Sequence, residues 1–165
     1  NSASKFNNSK CGLIIAGKVN QKFKDSLKSD LFATSNQLVI DEILSDEEVE
    51  YILNASDIVI LPHRFISQSG VFMVALAYEK LVICSPRQEF KNTIEKASCG
   101  WIFYDTPSSL AEVLKNIYQT PKVIEYKKEK YNKKILDDIY SWDQAAEVLV
   151  KIYMSLEKDE MNEVI

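Results

Sequence analysis

The chain has 165 residues, 46% of them hydrophobic and 27% charged, with a formal charge of −4 and a pI near 5.1. Those values describe one ordinary globular domain, large enough to bury about 70% of the surface its unfolded chain exposes. The acidic balance argues against a dedicated nucleic-acid binder, and no apolar run approaches the ~20 residues of a membrane span.

No signal peptide is visible, and the three cysteines, Cys11, Cys84 and Cys99, are widely spaced and odd in number. They suggest free thiols in a reducing compartment, so a cytoplasmic location is expected and a zinc site is not. Residues 1–10, opening Asn1-Ser2-Ala3-Ser4-Lys5, read as a disordered or appended end. Residues 11–165 read as a single domain, because no repeat, linker or low-complexity segment interrupts them.

In chain order, Leu13-Ile14-Ile15-Ala16 is a buried strand closed by Gly17. Val19 to Asp30 follows as a polar helix, and Leu38-Val39-Ile40 as the next strand. Ser45-Asp46-Glu47-Glu48 is a capping box that launches a helix with Val49, Ile52 and Leu53 on its buried stripe. Ile58-Val59-Ile60-Leu61 is a fully apolar strand stopped by Pro62. A polar loop ending Ser67-Gln68-Ser69-Gly70 then runs into Val71–Tyr78, where no side chain is charged. A surface helix would show one polar face, so this helix is expected to be buried on all sides. The strand Leu81-Val82-Ile83-Cys84 follows, then a short helix from Phe90 to Lys96 and a strand over Trp101-Ile102-Phe103-Tyr104. Pro107 opens a helix carrying Leu110, Val113, Leu114 and Ile117 on one side. Lys127, Lys128, Lys130, Lys133 and Lys134 read as a solvated helix face, with a membrane-surface or phosphate patch as the sharper alternative. Ser141-Trp142-Asp143-Gln144 is a second capping-box pattern, opening a long helix with Trp142, Ala146, Leu149, Tyr153 and Leu156 expected inward.

Strands without polar alternation, each followed by a helix, describe a parallel sheet covered on both faces. The fold class is α/β, doubly wound and Rossmann-like. Ligands in such sheets sit outside the carboxyl ends of the strands, which directs attention to the loops after Ala16, Ile40, Leu61 and Cys84. The loop after Leu61 carries the most chemistry. A helix N-terminus offers unpaired N–H groups and about half a positive charge, suited to phosphate. Gly70 would let a ligand approach the backbone, Ser67 and Ser69 could donate hydroxyls, and Arg64 could grip a phosphate with two hydrogen bonds. No Lys-Ser/Thr follows the glycine, and no G-x-G-x-x-G follows the first strand, so neither a Walker loop nor a nicotinamide or flavin fingerprint is present. His63, the single histidine, reads either as a spacer or as a hydrogen-bond donor to a ligand. Asp57 reads as a structural acceptor at the start of a strand, and Trp101 to Tyr104 as core.

Asp57-Ile58-Val59-Ile60-Leu61-Pro62, then Ser69-Gly70, then Ala75-Leu76-Ala77-Tyr78-Glu79-Lys80-Leu81-Val82-Ile83 resembles the C-terminal half of group 1 glycosyltransferases. These are retaining enzymes of the two-domain GT-B architecture. Ser45-Asp46-Glu47-Glu48-Val49 is similar to the family's acidic helix start, Gly100-Trp101-Ile102 to its glycine-led strand, and the Ser141-Trp142 helix to its closing helix. The resemblance runs in order from about Leu13 to Tyr153. It implies that Gln68, Ser69, Gly70 and Val71 present amides to the diphosphate or sugar of a nucleoside-diphosphate sugar. Ile43 and Leu44 would lie near the base, and Gly17 and Lys18 on the same edge, Lys18 as a cation. No cofactor is implied beyond that substrate.

The chain also departs from the pattern. Ile66 and Val74 stand where many members carry two glutamates, and Glu79-Lys80-Leu81 stands where Gly-Lys-Pro is usual. The family's first strand–helix unit has no room before Leu13. The resemblance implies a hexosyltransferase of polysaccharide assembly that acts when joined to an N-terminal acceptor-binding domain, and a domain that is inactive alone. No nucleic-acid partner is expected, and membrane contact would be peripheral. A non-catalytic sugar-nucleotide-binding or assembly module is the reading from another class. Half of a sugar-nucleotide 2-epimerase is a third, disfavoured by the single histidine.

Overall fold

The structure, a computed structural model, describes residues 11–19, 36–62 and 69–162, with side chains described up to Ser155 in the last helix. The end at residues 1–10, the helix expected over Val19–Asp30 and the loop residues His63, Arg64, Ile66, Ser67 and Gln68 therefore lie outside the described residues.

Five short strands are present: β1 (Leu13–Ala16), β2 (Gln37–Ile40), β3 (Ile58–Leu61), β4 (Leu81–Cys84) and β5 (Gly100–Ile102). The described helices are α1 (Asp46–Ala55), α2 (Gly70–Ala77), α3 (Gln88–Ala97), α4 (Pro107–Gln119), α5 (Lys122–Lys130), α6 (Lys133–Ile139) and α7 (Trp142–Asn162). All strand pairs are parallel. β1 pairs with β2, and β4 lies between β3 and β5.

The three-stranded sheet is covered on both faces, as uninterrupted apolar strands require. Val82 and Cys84 of β4, with Leu61, face Phe72, Ala75 and Leu76 of α2, Phe90 and Ile94 of α3, and Leu136 of α6. The Phe72 and Phe90 rings lie 4.5 Å apart, centroid to centroid, in a tilted arrangement. On the opposite face Ile83, Phe103 and Ile117 pack with Ile58, Ile60, Trp101, Leu110, Val113 and Val123, so α4 and α5 cover that side. The alternation along β4 assigns its side chains to the two layers.

Local chemistry sets the helix ends. Both halves of the capping box are formed in α1: Glu48 N–H donates to Ser45 Oγ at 3.3 Å, and Ser45 N–H donates to Glu48 Oε2 at 2.7 Å. This reciprocal bond holds the Glu48 carboxyl below its ordinary range. Thr106 caps α4 with Pro107 in the first turn. At Ser141 only the first half of the box forms, Gln144 N–H donating to Ser141 Oγ at 3.3 Å. α2 ends in a Schellman arrangement, with Lys80 N–H donating to Ala75 O and Glu79 N–H to Leu76 O, both at 2.9 Å. That motif places Glu79 in the left-handed region at φ 55°. The glycine of the family's Gly-Lys-Pro stands at this position, where a side chain is disfavoured.

Three expectations need correction. α2 is not buried all round: Phe72, Ala75 and Leu76 are inside, while Val71, Val74, Ala77 and Tyr78 are at the surface. The absence of charge marked an apolar surface rather than full burial. The stripe of α7 does not face inward either, since Trp142 is 88% exposed and Leu149 and Tyr153 are exposed too. An apolar period reports one face of a helix, not what that face meets. The last strand stops at Ile102, and Tyr104, 74% exposed, belongs to the following loop. The lysine cluster, divided between α5 and α6, is solvated as expected, its exposed members making surface ion pairs and ring contacts. Lys128 pairs with Asp57 at 3.2 Å and Lys133 with Glu79 at 2.8 Å, while Lys127 sits over the Trp101 ring and Lys130 over that of Tyr126. Asp57 thus acts as an acceptor, as expected, but from an exposed position. No helix among the described residues is long and apolar enough to cross a membrane.

Two substitutions test the backbone argument. A Cβ at Gly100 would run into the carbonyl oxygen and carbon of Val82 inside the β4–β5 ladder. Gly100→Ala is therefore expected to destabilise the fold by about 3 kcal/mol or prevent folding. Glu79→Gly relieves the left-handed strain at the cost of one exposed ion pair, and is expected to stabilise by about 1 kcal/mol. Thermal or denaturant melts of both variants check these signs.

Candidate functional site

The described loops at the carboxyl ends of the strands belong to two sheets. The turn after β1 is held to the loop after β2. Gly17 N–H donates to Ile40 O at 3.0 Å, and Val19 N–H donates to Asp41 Oδ1 at 2.9 Å. Gly17 adopts φ 130°, a conformation glycine tolerates and other residues rarely do. Lys18, exposed, approaches the same Asp41 oxygen at 4.0 Å. The carboxylate beside Lys18 lowers the net charge of this turn. Farther along the second loop, Ile43 projects into solvent at 84% exposure and Leu44 is half-buried.

After β3 the chain reaches the N-terminus of α2. Ser69 is 6% exposed, and its Oγ accepts the N–H of Phe72 at 3.2 Å. Its oxygen is therefore committed to the cap. Met73 N–H donates to Ser69 O at 3.2 Å. The N–H groups of Gly70 and Val71 precede the first bonded turn and have no partner within the helix. Gly70 is exposed, and a Cβ built on it would meet nothing within 4 Å. The space above its backbone is open, and its smallness is not demanded by the packing of the chain itself.

The loop after β4 contributes Ser85, wholly buried, and Arg87, which donates from Nη2 to Asp105 Oδ2 at 3.1 Å. This ion pair links the loops after β4 and β5. Asp41 and the Arg87–Asp105 pair are the edge residues that sequence reasoning left unnamed. The available signal was their position just beyond apolar strands. Their partners lie 22 and 18 residues away from them in the chain.

Gly17, Lys18 and Leu44 thus follow the strands of the β1–β2 pair, and Ser69, Gly70 and Val71 follow β3 of the three-stranded sheet. The remaining expected contributors, His63, Arg64, Ser67 and Gln68, lie outside the described residues. An open groove of about 450 Å³ lies elsewhere, between α2, α6 and the start of α7, lined by Met73, Leu76, Leu136, Tyr140 and Trp142. It is mainly apolar and contains none of the strand-edge residues. The described residues contain no His/Cys/Asp/Glu cluster able to hold a metal.

The model of the family described as "Glycosyl transferases group 1" matches residues 2–120. The chain belongs to the group 1 glycosyl transferases. Among solved structures, sucrose-phosphate synthase from Thermosynechococcus elongatus superposes with a TM-score of 0.66 at 15% identity. The match covers 89% of this chain and 38% of that one, so the chain spans well under half of its neighbour's length. No curated sequence matches significantly. Family and fold together make this glycosyltransferase chain an α/β, Rossmann-like domain of GT-B type, and glycosyl transfer is the chemistry of its family.

The cysteines of this glycosyltransferase domain are free, and two sit in the core beneath the edge. Burial, reinforced by nearby Cys99, pushes the Cys84 thiol up to about 12, and burial raises Cys99 to about 11. An unfolded cysteine titrates near 8.5. Above that pH the unfolded chain releases protons that the folded chain retains, so stability is expected to fall as pH rises from about 9 towards 11. Denaturant midpoints at pH 8 and pH 10 measure the slope, and Cys84→Ala is expected to flatten it.

Proposed function

We propose that this chain is the C-terminal, donor-binding domain of a retaining glycosyltransferase. In this reading it moves a sugar of hexosyl type from a nucleoside diphosphate to a saccharide or lipid-linked acceptor in polysaccharide assembly, in the cytoplasm. The observation that carries the reading is the start of α2. The amides of Gly70 and Val71 precede the first bonded turn and have no partner within the helix, and a Cβ on Gly70 would meet nothing within 4 Å, in a chain of this family. Oriented amides and the helix dipole stabilise a diphosphate as the sugar–oxygen bond breaks, and no protein nucleophile is required if attack occurs on the face the diphosphate leaves. Lys18 adds positive charge, Ile43 and Leu44 flank the base, and His63, Arg64, Ser67 and Gln68 complete the set. The acceptor would be held by an N-terminal domain across a cleft, and the domain alone transfers no sugar.

A second reading is favoured by one observation. Val74, where many members carry a glutamate, is an exposed apolar side chain on α2, and Ile66 replaces the other glutamate. A non-catalytic sugar-nucleotide-binding or assembly module could dispense with both. Calorimetry with UDP and GDP separates the two: the donor domain binds at least one, and a degenerate scaffold binds neither.

Gly70→Asp tests the phosphate site directly. The open space around Gly70 allows the variant to fold. The new carboxylate lies beside the anion, and the expected loss is about 1–3 kcal/mol of nucleoside-diphosphate binding. Tight binding by a folded Gly70→Asp chain would locate the diphosphate elsewhere.

A further inference from the structure

Helix α7 is exposed at every residue from Trp142 to Ser155. Most of a helix's stability in a protein comes from packing an apolar face, and among the described residues nothing covers this one. Its sequence is not that of a solvated helix. On a helical projection Asp143, Gln144, Glu147 and Lys151 fall on one side, and most of the remaining circumference is apolar. Trp142, Ala145, Leu149 and Ile152 follow at intervals of three, four and three residues, the a/d spacing of a helix that packs against another helix. Ala146 and Tyr153 flank that seam.

The exposed area is large enough to matter. Trp142, Leu149, Ile152 and Tyr153 each keep about half of their surface or more in solvent. At ordinary side-chain areas the seam exposes on the order of 600 Å², the upper end of what the largest apolar patch of a monomer shows. The groove lined by Met73, Leu136 and Tyr140 opens beside Trp142 and continues it. Seam and groove together approach the ~800 Å² that each partner contributes to a standard protein interface. A lipid surface does not suit this face, because helices that lie in the membrane interface carry Lys and Arg on their polar side. Between Trp142 and Ser155 that side offers one lysine, Lys151, against Asp143 and Glu147.

The seam fits a second copy of itself. With two such helices antiparallel, Trp142 lies opposite the partner's Ile152 and Ala145 opposite the partner's Leu149. Both pairs are centred on position 147, as a single two-fold axis requires. A small side chain then meets a large one in the inner layers, which fills space. The parallel arrangement would set Ala145 against Ala145 and leave a void.

We propose that this face of α7 is a homodimer interface, in which the helices of two chains pack antiparallel and the end of each lies beside the groove of the other. Because the seam is self-complementary, the interface closes at two chains. It does not depend on the donor reading above.

Sedimentation velocity of the 165-residue chain at ~50 µM is expected to give twice the 18.9 kDa mass of one chain. Leu149→Glu puts a charge in the seam at an exposed position, so the domain still melts cooperatively while its dimer is expected to weaken at least ~10-fold. Lys151→Glu, on the polar side, is expected to leave the dimer intact. Disulfide trapping in a Cys11→Ser background reads the orientation. Ala145→Cys chains mixed with Leu149→Cys chains are expected to cross-link faster than either kind with itself. A parent chain that stays monomeric at this concentration would overturn the proposal, and so would a dimer equally tight in Leu149→Glu or trapping fastest between identical chains. A monomer that binds phosphatidylglycerol vesicles through α7 would give the face to a lipid surface. A monomer with protected α7 amides would give it to a segment of the same chain. Either result refutes the dimer.

Discussion

The burial of β4 is the constraint on which the three-stranded half of the molecule depends. Leu81, Val82, Ile83 and Cys84 are each wholly inaccessible to solvent. A strand in that position must satisfy its backbone on both edges and its side chains on both faces. β3 and β5 supply the hydrogen bonds, and the two helical layers receive alternate side chains. Gly100 is fixed by the same demand, since β5 approaches Val82 too closely for a side chain. The buried thiols follow as well, with the thiolate form excluded by the apolar surroundings that make the strand stable.

That rigid body positions the candidate site. β3 ends beside β4, and α2 starts on the same edge, so the amides of Gly70 and Val71 are held by a helix whose other side is anchored through Phe72, Ala75 and Leu76. The cap by Ser69 engages one of the first-turn donors, the N–H of Phe72. The β1–β2 pair contributes through a different device, the Asp41 carboxylate that fixes the Val19 backbone and neighbours Lys18. The proposed site would thus rest mainly on local backbone geometry, with few charged side chains near it among the described residues.

The apolar surfaces are as informative as the core. Val71 and Val74 on α2, and Trp142, Leu149 and Tyr153 on α7, are exposed, and β1 and β3 carry no polar residue.

Much of this was legible in the residues themselves. The runs Leu13–Ala16, Ile58–Leu61 and Leu81–Cys84 are strands because continuous apolar segments bounded by glycine, proline or serine fit a doubly covered parallel sheet. The Ser45–Glu48 box and Pro107 start helices through contacts within one turn, and the co-linear order of motifs named the family. Exposure was decided elsewhere. Whether an apolar helix face is core or surface depends on what stands opposite it, which no local pattern encodes; hence α2 and α7 turned outward against expectation. The same holds for Asp41 with Val19, Arg87 with Asp105, and Lys128 with Asp57, whose partners are distant in the chain and meet only when strands align. Local periodicity and capping are short-range chemistry and can be read along the sequence. Burial, ion pairing and strand order are settled by tertiary packing, because they depend on which distant surfaces the fold brings together.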